Sequence, residues 1–263
     1  MTDFNQNDSS TQDAAGQTGG QEAGGDAGIS ESVYGAWHHR VLEGRAGLFA
    51  VLTVVAISIG GLVEILPMFT AQLGPEVHDG VTPYSPLEVA GRDIYIREGC
   101  YLCHSQMIRP MRAEVLRYGE WSRAWEYRYD RPFLLGSRRT GPDLHRVGGK
   151  YPDAWHYEHM RDPRSTSPGS IMPPYPWMLN RDVDPADITA SVKALQRAGH
   201  PYVDVTLEGV TGSMRQQGEA IVASLSSAGI ETEWDREIVA MIAYLQRLGT
   251  DGDAVLANQA GGN

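Results

Sequence analysis

Cys100-Tyr101-Leu102-Cys103-His104 is the stretch on which the reading of this chain turns, and its two cysteines are the only ones in 263 residues. C-x-x-C-H is the attachment signature of a c-type haem. If the stretch is helical, Cys100 and Cys103 fall three apart on one face, where their thiols can meet the two vinyl groups of one porphyrin. His104 follows at the next step round, placed to offer a ring nitrogen to the iron as its proximal ligand. Other uses fit less well. A structural zinc site draws on about four Cys or His ligands, usually in two separated pairs, and no second cysteine pair exists. A redox dithiol explains neither the histidine nor the lack of a βαβ pattern around it. A chance match would leave the rest of the chain unrelated to haem, and it is not unrelated.

Upstream, the chain changes character twice. Residues 1–30 are Gly, Gln, Asp, Ser, Thr and Ala with hardly an apolar side chain. That composition cannot bury enough surface to offset chain entropy, so it reads as a disordered polar tail. From Ala46 to Val63 every residue is apolar except Thr53 and Ser58, and the run continues through Ile65, Leu66, Met68 and Phe69. A helix crossing hydrocarbon needs roughly 20 such residues, so 31–71 reads as one transmembrane anchor with its flanks. The run starts too far along the chain for an ordinary cleaved signal peptide. Arg40 and Arg45 precede it, whereas Glu76, Asp79 and Glu88 follow it before any Lys or Arg. The positive-inside rule keeps the tail in the cytoplasm and sends the remainder outside, where bacteria attach c-type haem. Glu64, just ahead of Pro67, reads as part of a hydrated helix end. The formal net charge of −11 argues against nucleic-acid binding.

Residues 72–84 carry Gly74, Pro75, Gly80 and Pro83 and read as a linker. A helix is then expected from Ser85-Pro86 towards Cys100, with Ser85 as cap and Leu87, Ala90, Ile94 and Tyr95 facing a core. Asp235 to Leu248 repeats Ile238, Met241, Ile242, Leu245 and Leu248 at helical spacing and is closed by Gly249. Two further helices are expected at about 185–198 and 212–227. From Thr250 the chain reads as a flexible tail.

An all-helical domain over 85–249, with C-x-x-C-H close behind its first helix and Ala243-Tyr244-Leu245-Gln246 in its last, resembles a class I cytochrome c. Gly141-Pro142-Asp143-Leu144 is similar to that family's G-P-x-L segment, which implies that the Pro142 carbonyl accepts the ring proton of His104. Such a bond fixes the tautomer and strengthens the imidazole as a ligand. For the distal ligand, spacing alone leaves several candidates open. Met172 lies in the proline-stiffened loop Ser170-Ile171-Met172-Pro173-Pro174-Tyr175-Pro176-Trp177, with Met178 its nearest competitor. Met107 and Met111 are too close to His104, and His156 or His159 would give bis-histidine ligation. The Met-Pro context, matching the cytochrome pattern, favours Met172. His/Met ligation fills both axial positions, leaving no place for oxygen or substrate. No paired carboxylates, nucleophile with base, or phosphate loop suggests other chemistry, and Asp143, Glu114, Glu120 and Glu126 read as surface acids.

Residues 105–165 form a long insert in which Arg109, Arg112, Arg117, Arg123, Arg128, Arg131, Arg138 and Arg139 alternate with Tyr118, Trp121, Trp125, Tyr127, Tyr129 and Phe133. Arg and aromatic side chains are enriched at protein contacts, so the insert reads as an interface. The wording is more specific than the composition. Gly91-Arg92-Asp93-Ile94-Tyr95-Ile96-Arg97-Glu98-Gly99, Ser105-Gln106-Met107-Ile108-Arg109-Pro110, Tyr129-Asp130-Arg131-Pro132-Phe133, Gly136 to Leu144 and Met172 to Trp177 together resemble the monohaem cytochrome c subunit of bacterial cbb3-type cytochrome c oxidases. The resemblance reaches back through Ser58-Ile59-Gly60-Gly61-Leu62-Val63-Glu64-Ile65 and covers roughly 46–249.

That resemblance implies a mainly α protein: one N-terminal transmembrane helix, then a class I cytochrome c-like domain with an Arg/aromatic-rich insert. It implies one covalent haem c held by Cys100 and Cys103, with His104 and Met172 on the iron and Pro142 behind His104. It implies an inner-membrane complex in which a dihaem or larger cytochrome c subunit supplies electrons and a haem–copper subunit reduces oxygen. This chain would then carry no oxygen-reducing site of its own. The small cytochrome c subunit of a nitric oxide reductase, or a free-standing anchored carrier, shares the one-anchor, one-haem layout. The long polar N-terminal tail is a departure from the resemblance.

Overall fold

The computed structural model describes residues 44–70, 78 and 80–261. The expected tail at 1–30, Arg40, Glu76, Asp79 and most of the expected linker lie outside these residues. The chain divides into two units, residues 1–73 and 74–263.

In the first unit, helix α1 spans Ala46–Thr70. Its stretch Ala46–Leu66, 21 residues, is long and apolar enough to cross a membrane. At 1.5 Å per residue that is about 30 Å, the thickness of a bilayer's hydrocarbon. Apolar side chains such as Phe49, Val54, Ile57, Leu62 and Val63 are exposed all round it. Such an all-round apolar surface suits lipid rather than one packed face.

The second unit is helical, with no strand among the described residues and one isolated bridge between Asp182 and Arg236. Helix α2, Pro86–Arg97, begins as the sequence predicts. Ser85 Oγ accepts from the Glu88 N–H (3.3 Å), and the Glu88 carboxylate accepts from the Ser85 N–H (2.8 Å). This reciprocal pair satisfies two donors left open by the first turn. The remaining helices are α3 Arg112–Tyr118, α4 Asp153–Arg161, α5 Pro163–Thr166, α6 Pro185–Arg197, α7 Leu207–Ser227, α8 Glu237–Arg247 and α9 Thr250–Gly261.

Helix α8 is the spine of the unit, buried from Glu237 to Leu245, and α2 packs against it more extensively than against any other helix. Gly91 permits that approach. A Cβ there would stand 2.6 Å from the Tyr244 Cβ and closer still to the Ala240 carbonyl oxygen. Helices α6 and α7 close one side, and α4 packs on α8 beside the 100–104 stretch's cavity.

The structure corrects two expected boundaries. Helix α7 begins at Leu207, five residues before the expected 212, because Thr206 caps it by accepting from the Gly209 N–H (3.1 Å). The chain beyond Thr250 is not a loose tail but α9. Asp251 takes the Thr82 N–H (2.7 Å) and pairs with Arg247, and Asp253 lies 3.4 Å from Arg146. Sequence periodicity did not reveal this helix because charge pairs and not an apolar stripe hold its first turn.

Candidate functional site

Two residues past the end of α2, Gly99 in a left-handed conformation (φ 71°) turns the chain into a 3₁₀ turn at Cys100–Leu102. The expected α-helical step is therefore a tighter one. It ends with the Cys103 and His104 N–H groups both donating to the Cys100 carbonyl, at 3.1 and 2.9 Å. After the turn the chain is held by residues 135–144. Gly141 N–H donates to Cys103 O (3.0 Å), Gln106 N–H to Leu135 O (2.8 Å) and Leu144 N–H to Ser105 O (2.8 Å).

These bonds deliver Pro142 to His104. The His104 Nδ1 lies 2.8 Å from the Pro142 carbonyl oxygen. A carbonyl only accepts, so Nδ1 carries the proton and Nε2 keeps its lone pair. Burial lowers the His104 pKa, with the Pro142 bond acting against it, so the ring is neutral at physiological pH. Gly141 makes room for the ring: a Cβ there would stand 2.7 Å from Nδ1 and 2.8 Å from Nε2.

Asp143 fastens the same corner from behind. It was expected to be a surface acid, but it is buried, as is Glu114. Its carboxylate accepts from Ser105 Oγ (2.6 Å) and from the N–H groups of Met107 and His145 (both 2.9 Å). Glu126 also departs from expectation. Its side chain is 4% exposed and binds Arg146 and His145. Burial opposes its charge, yet those two bonds hold it at about 2. Of the four acids, Glu120 is the exposed one.

Cys100, Cys103, His104, Pro142 and Met172 all line one cavity of about 570 Å³. That lies within the roughly 300–1,000 Å³ of ordinary cofactor pockets. Both thiols are free, and burial pushes that of Cys100 up to about 12. Met172 comes from the loop between α5 and α6, where its N–H donates to Ser170 Oγ (3.2 Å). Its competitor Met178 is fully buried in the core and does not face the cavity, and neither Met107 nor Met111 lines it. Met160 and Met241 do line it, from helices α4 and α8.

The alternative ligands His156 and His159 line the cavity as well. Burial lowers the pKa of both, that of His156 to about 4. His159 Nδ1 is engaged by Thr166 Oγ1 at 2.5 Å, whereas His156 Nε2 is buried without a partner. Trp155 stacks between Tyr151 and His159, at centroid distances of 4.0 and 4.4 Å. Sequence reading passed over this aromatic stack, although the step of four residues from Trp155 to His159 puts those two rings on one face of α4.

An apolar cavity, two free thiols at its wall, a neutral imidazole with its proton fixed and a glycine that accommodates the ring together fit a covalently held haem. No curated protein matches this chain. Residues 39–252 match the family model described as the mono-haem subunit of cytochrome c oxidase (FixO), and the chain belongs to that family.

Proposed function

We propose that this chain is the anchored electron-relaying subunit of a cbb3-type oxidase. It takes electrons from a dihaem or larger cytochrome c subunit and passes them towards the haem–copper subunit that reduces oxygen. The observation that carries this reading is the His104 Nδ1 to Pro142 O contact of 2.8 Å in the wall of a cavity that also holds Cys100, Cys103 and Met172.

A haem bound there supplies a one-electron iron couple. The chain's own residues hold and tune it. Cys100 and Cys103 would hold the porphyrin through two thioethers, each the product of adding one S–H across one vinyl group. His104 would offer Nε2 to the iron, with Pro142 keeping the proton on Nδ1 and so making the imidazole the better donor. Met172 would offer its thioether to the same iron, which would leave no open position for oxygen. Helix α1 anchors the chain, and Arg40 and Arg45 keep its N-terminal side in the cytoplasm of a bacterial inner membrane, with the haem domain outside.

The test is purification of the native complex from membranes in mild detergent through a tag on this chain. Copper, b- and c-type haem, and oxygen uptake from reduced cytochrome c are expected together. Haem b and iron without copper would replace this reading with a nitric oxide reductase. A lone c haem that needs no other subunit for turnover would replace it with a free carrier.

A further inference from the structure

Beside the haem cavity lies a second concavity, lined by Arg109, Arg117 and Arg139 with Met111 at its margin. The two share Tyr118, Thr140, Gly141 and Pro142 as a common wall. Glu114 is the one acid lining the groove, and Arg109 and Arg139 both bind it. Arg117 has no carboxylate partner among the described residues. Its guanidinium lies 5.2 Å from the Tyr118 ring, and Arg139 lies 5.4 Å from the same ring. Next to these charges Met111 is 52% exposed and Leu116 76%. Helix α3 thus presents unneutralised guanidinium beside large apolar side chains, a pairing enriched at protein contacts.

We propose that this groove seats an acidic segment of the membrane-embedded oxygen-reducing subunit, one carboxylate of which pairs with Arg117. The proposal rests on the subunit reading above. Charge complementarity names an acid. Residues 74–263, the part this reading puts on the groove's side of the membrane, carry 25 Asp and Glu against 20 Lys and Arg, so an acidic soluble carrier would still meet net repulsion on approach. A segment held permanently next to this chain is not subject to that approach barrier, and the exposed Met111 and Leu116 suit a lasting interface. Bound there, the segment would cover Pro142, on the far side of the wall from the His104 ring.

The experiment uses the full tagged chain in its native complex. Arg117→Glu places like charges together, which should lower copper retained per chain about tenfold as salt is raised. Arg138→Glu, an exposed arginine outside the groove, is expected to keep its copper. Haem per chain should be unchanged in both, which reports that the domain still folds. Arg117→Lys adds an amine to a chain with only two lysines, Lys150 and Lys193. Treatment with a carbodiimide should then join that amine to an Asp or Glu of the oxygen-reducing subunit, read by peptide mass. An Arg117→Glu complex that keeps its copper, or an Arg117→Lys link found only to this chain's own acids, to the cytochrome c subunit or to a soluble donor, overturns the groove assignment. Loss of copper from Arg117→Glu that anionic lipid alone restores, without any link from Arg117→Lys, overturns it in favour of a headgroup. Wild-type chain without copper would instead sink the subunit reading, and the groove assignment with it.

Discussion

At the scale of single residues, the site depends on how closely Gly141 and Pro142 approach His104. Gly141→Ala would push a Cβ into the imidazole, at 2.7 Å from Nδ1. The ring must turn or the 141–144 corner must retreat, and either breaks the bond to Pro142. The expected outcome is a lower yield of haem-loaded chain and a displaced ligand-to-iron spectrum. A normal spectrum would mean that Pro142 does not hold the ring. Met172→His tests the distal ligand separately. Exchanging thioether for imidazole should lower the reduction potential by a sizeable part of the roughly 0.8 V that axial ligands command. An unchanged potential and spectrum would move the assignment to another wall residue, His156 foremost because its Nε2 has no partner. Pro142 could be read from the sequence because G-P-x-L is a local pattern. Asp143 could not: its three partners, Ser105, Met107 and His145, come from two segments that only the folded chain brings together.

At the scale of elements, the packing of α2 on α8 sets where the Cys100–Leu102 turn sits, since α2 leads into it through Glu98 and Gly99. Gly91→Ala forces the two helices apart at Ala240 and Tyr244. Overpacking of this kind costs about 1–3 kcal/mol. Denaturant unfolding of the full chain in detergent should show the loss, with no loss where Ala replaces the exposed Gly212 of α7, at which an added Cβ meets nothing within 4 Å. Equal stability of the two variants would mean that the α2–α8 contact yields to a Cβ at Gly91 without cost. Helices with an apolar stripe and a capping residue were legible: α2, α6 and α8 lie within about two residues of expectation. Helix α9 was not, because its first turn is fixed by Thr82, Arg146 and Arg247, partners far off in sequence or on another helix. The Arg/aromatic insert was legible as a surface feature only in part. Arg146 and Arg139 turn inward to bind Glu126 and Glu114, while Arg117 and Arg138 remain outside.

At the scale of the whole molecule, a chain with a formal charge of −11 spends part of its small store of cations in internal pairs. Glu114 is held at about 2 by its bonds to Arg139 and Arg109, and Glu126 also at about 2 by His145 and Arg146 against the effect of burial. Each would titrate at 4.5 if unperturbed. A carboxyl group with a lowered folded-state pKa adds stability above its unfolded value, and that stability is lost as the pH falls towards the folded value. Asp93 and Asp130 run the other way: burial raises their pKa, so protonation relieves them on acidification. The total pH profile therefore mixes both signs, and a difference between variants isolates one. The melting temperature of the full chain in detergent should exceed that of Glu126→Gln by a few degrees near pH 7. As the pH drops from about 4.5 towards 2, the gap should close, because the wild-type carboxylate is losing its charge there. A gap that stays constant across that range would show that Gln fails for reasons of shape, and that the charge on Glu126 contributes nothing to holding the 145–146 segment beside the haem cavity.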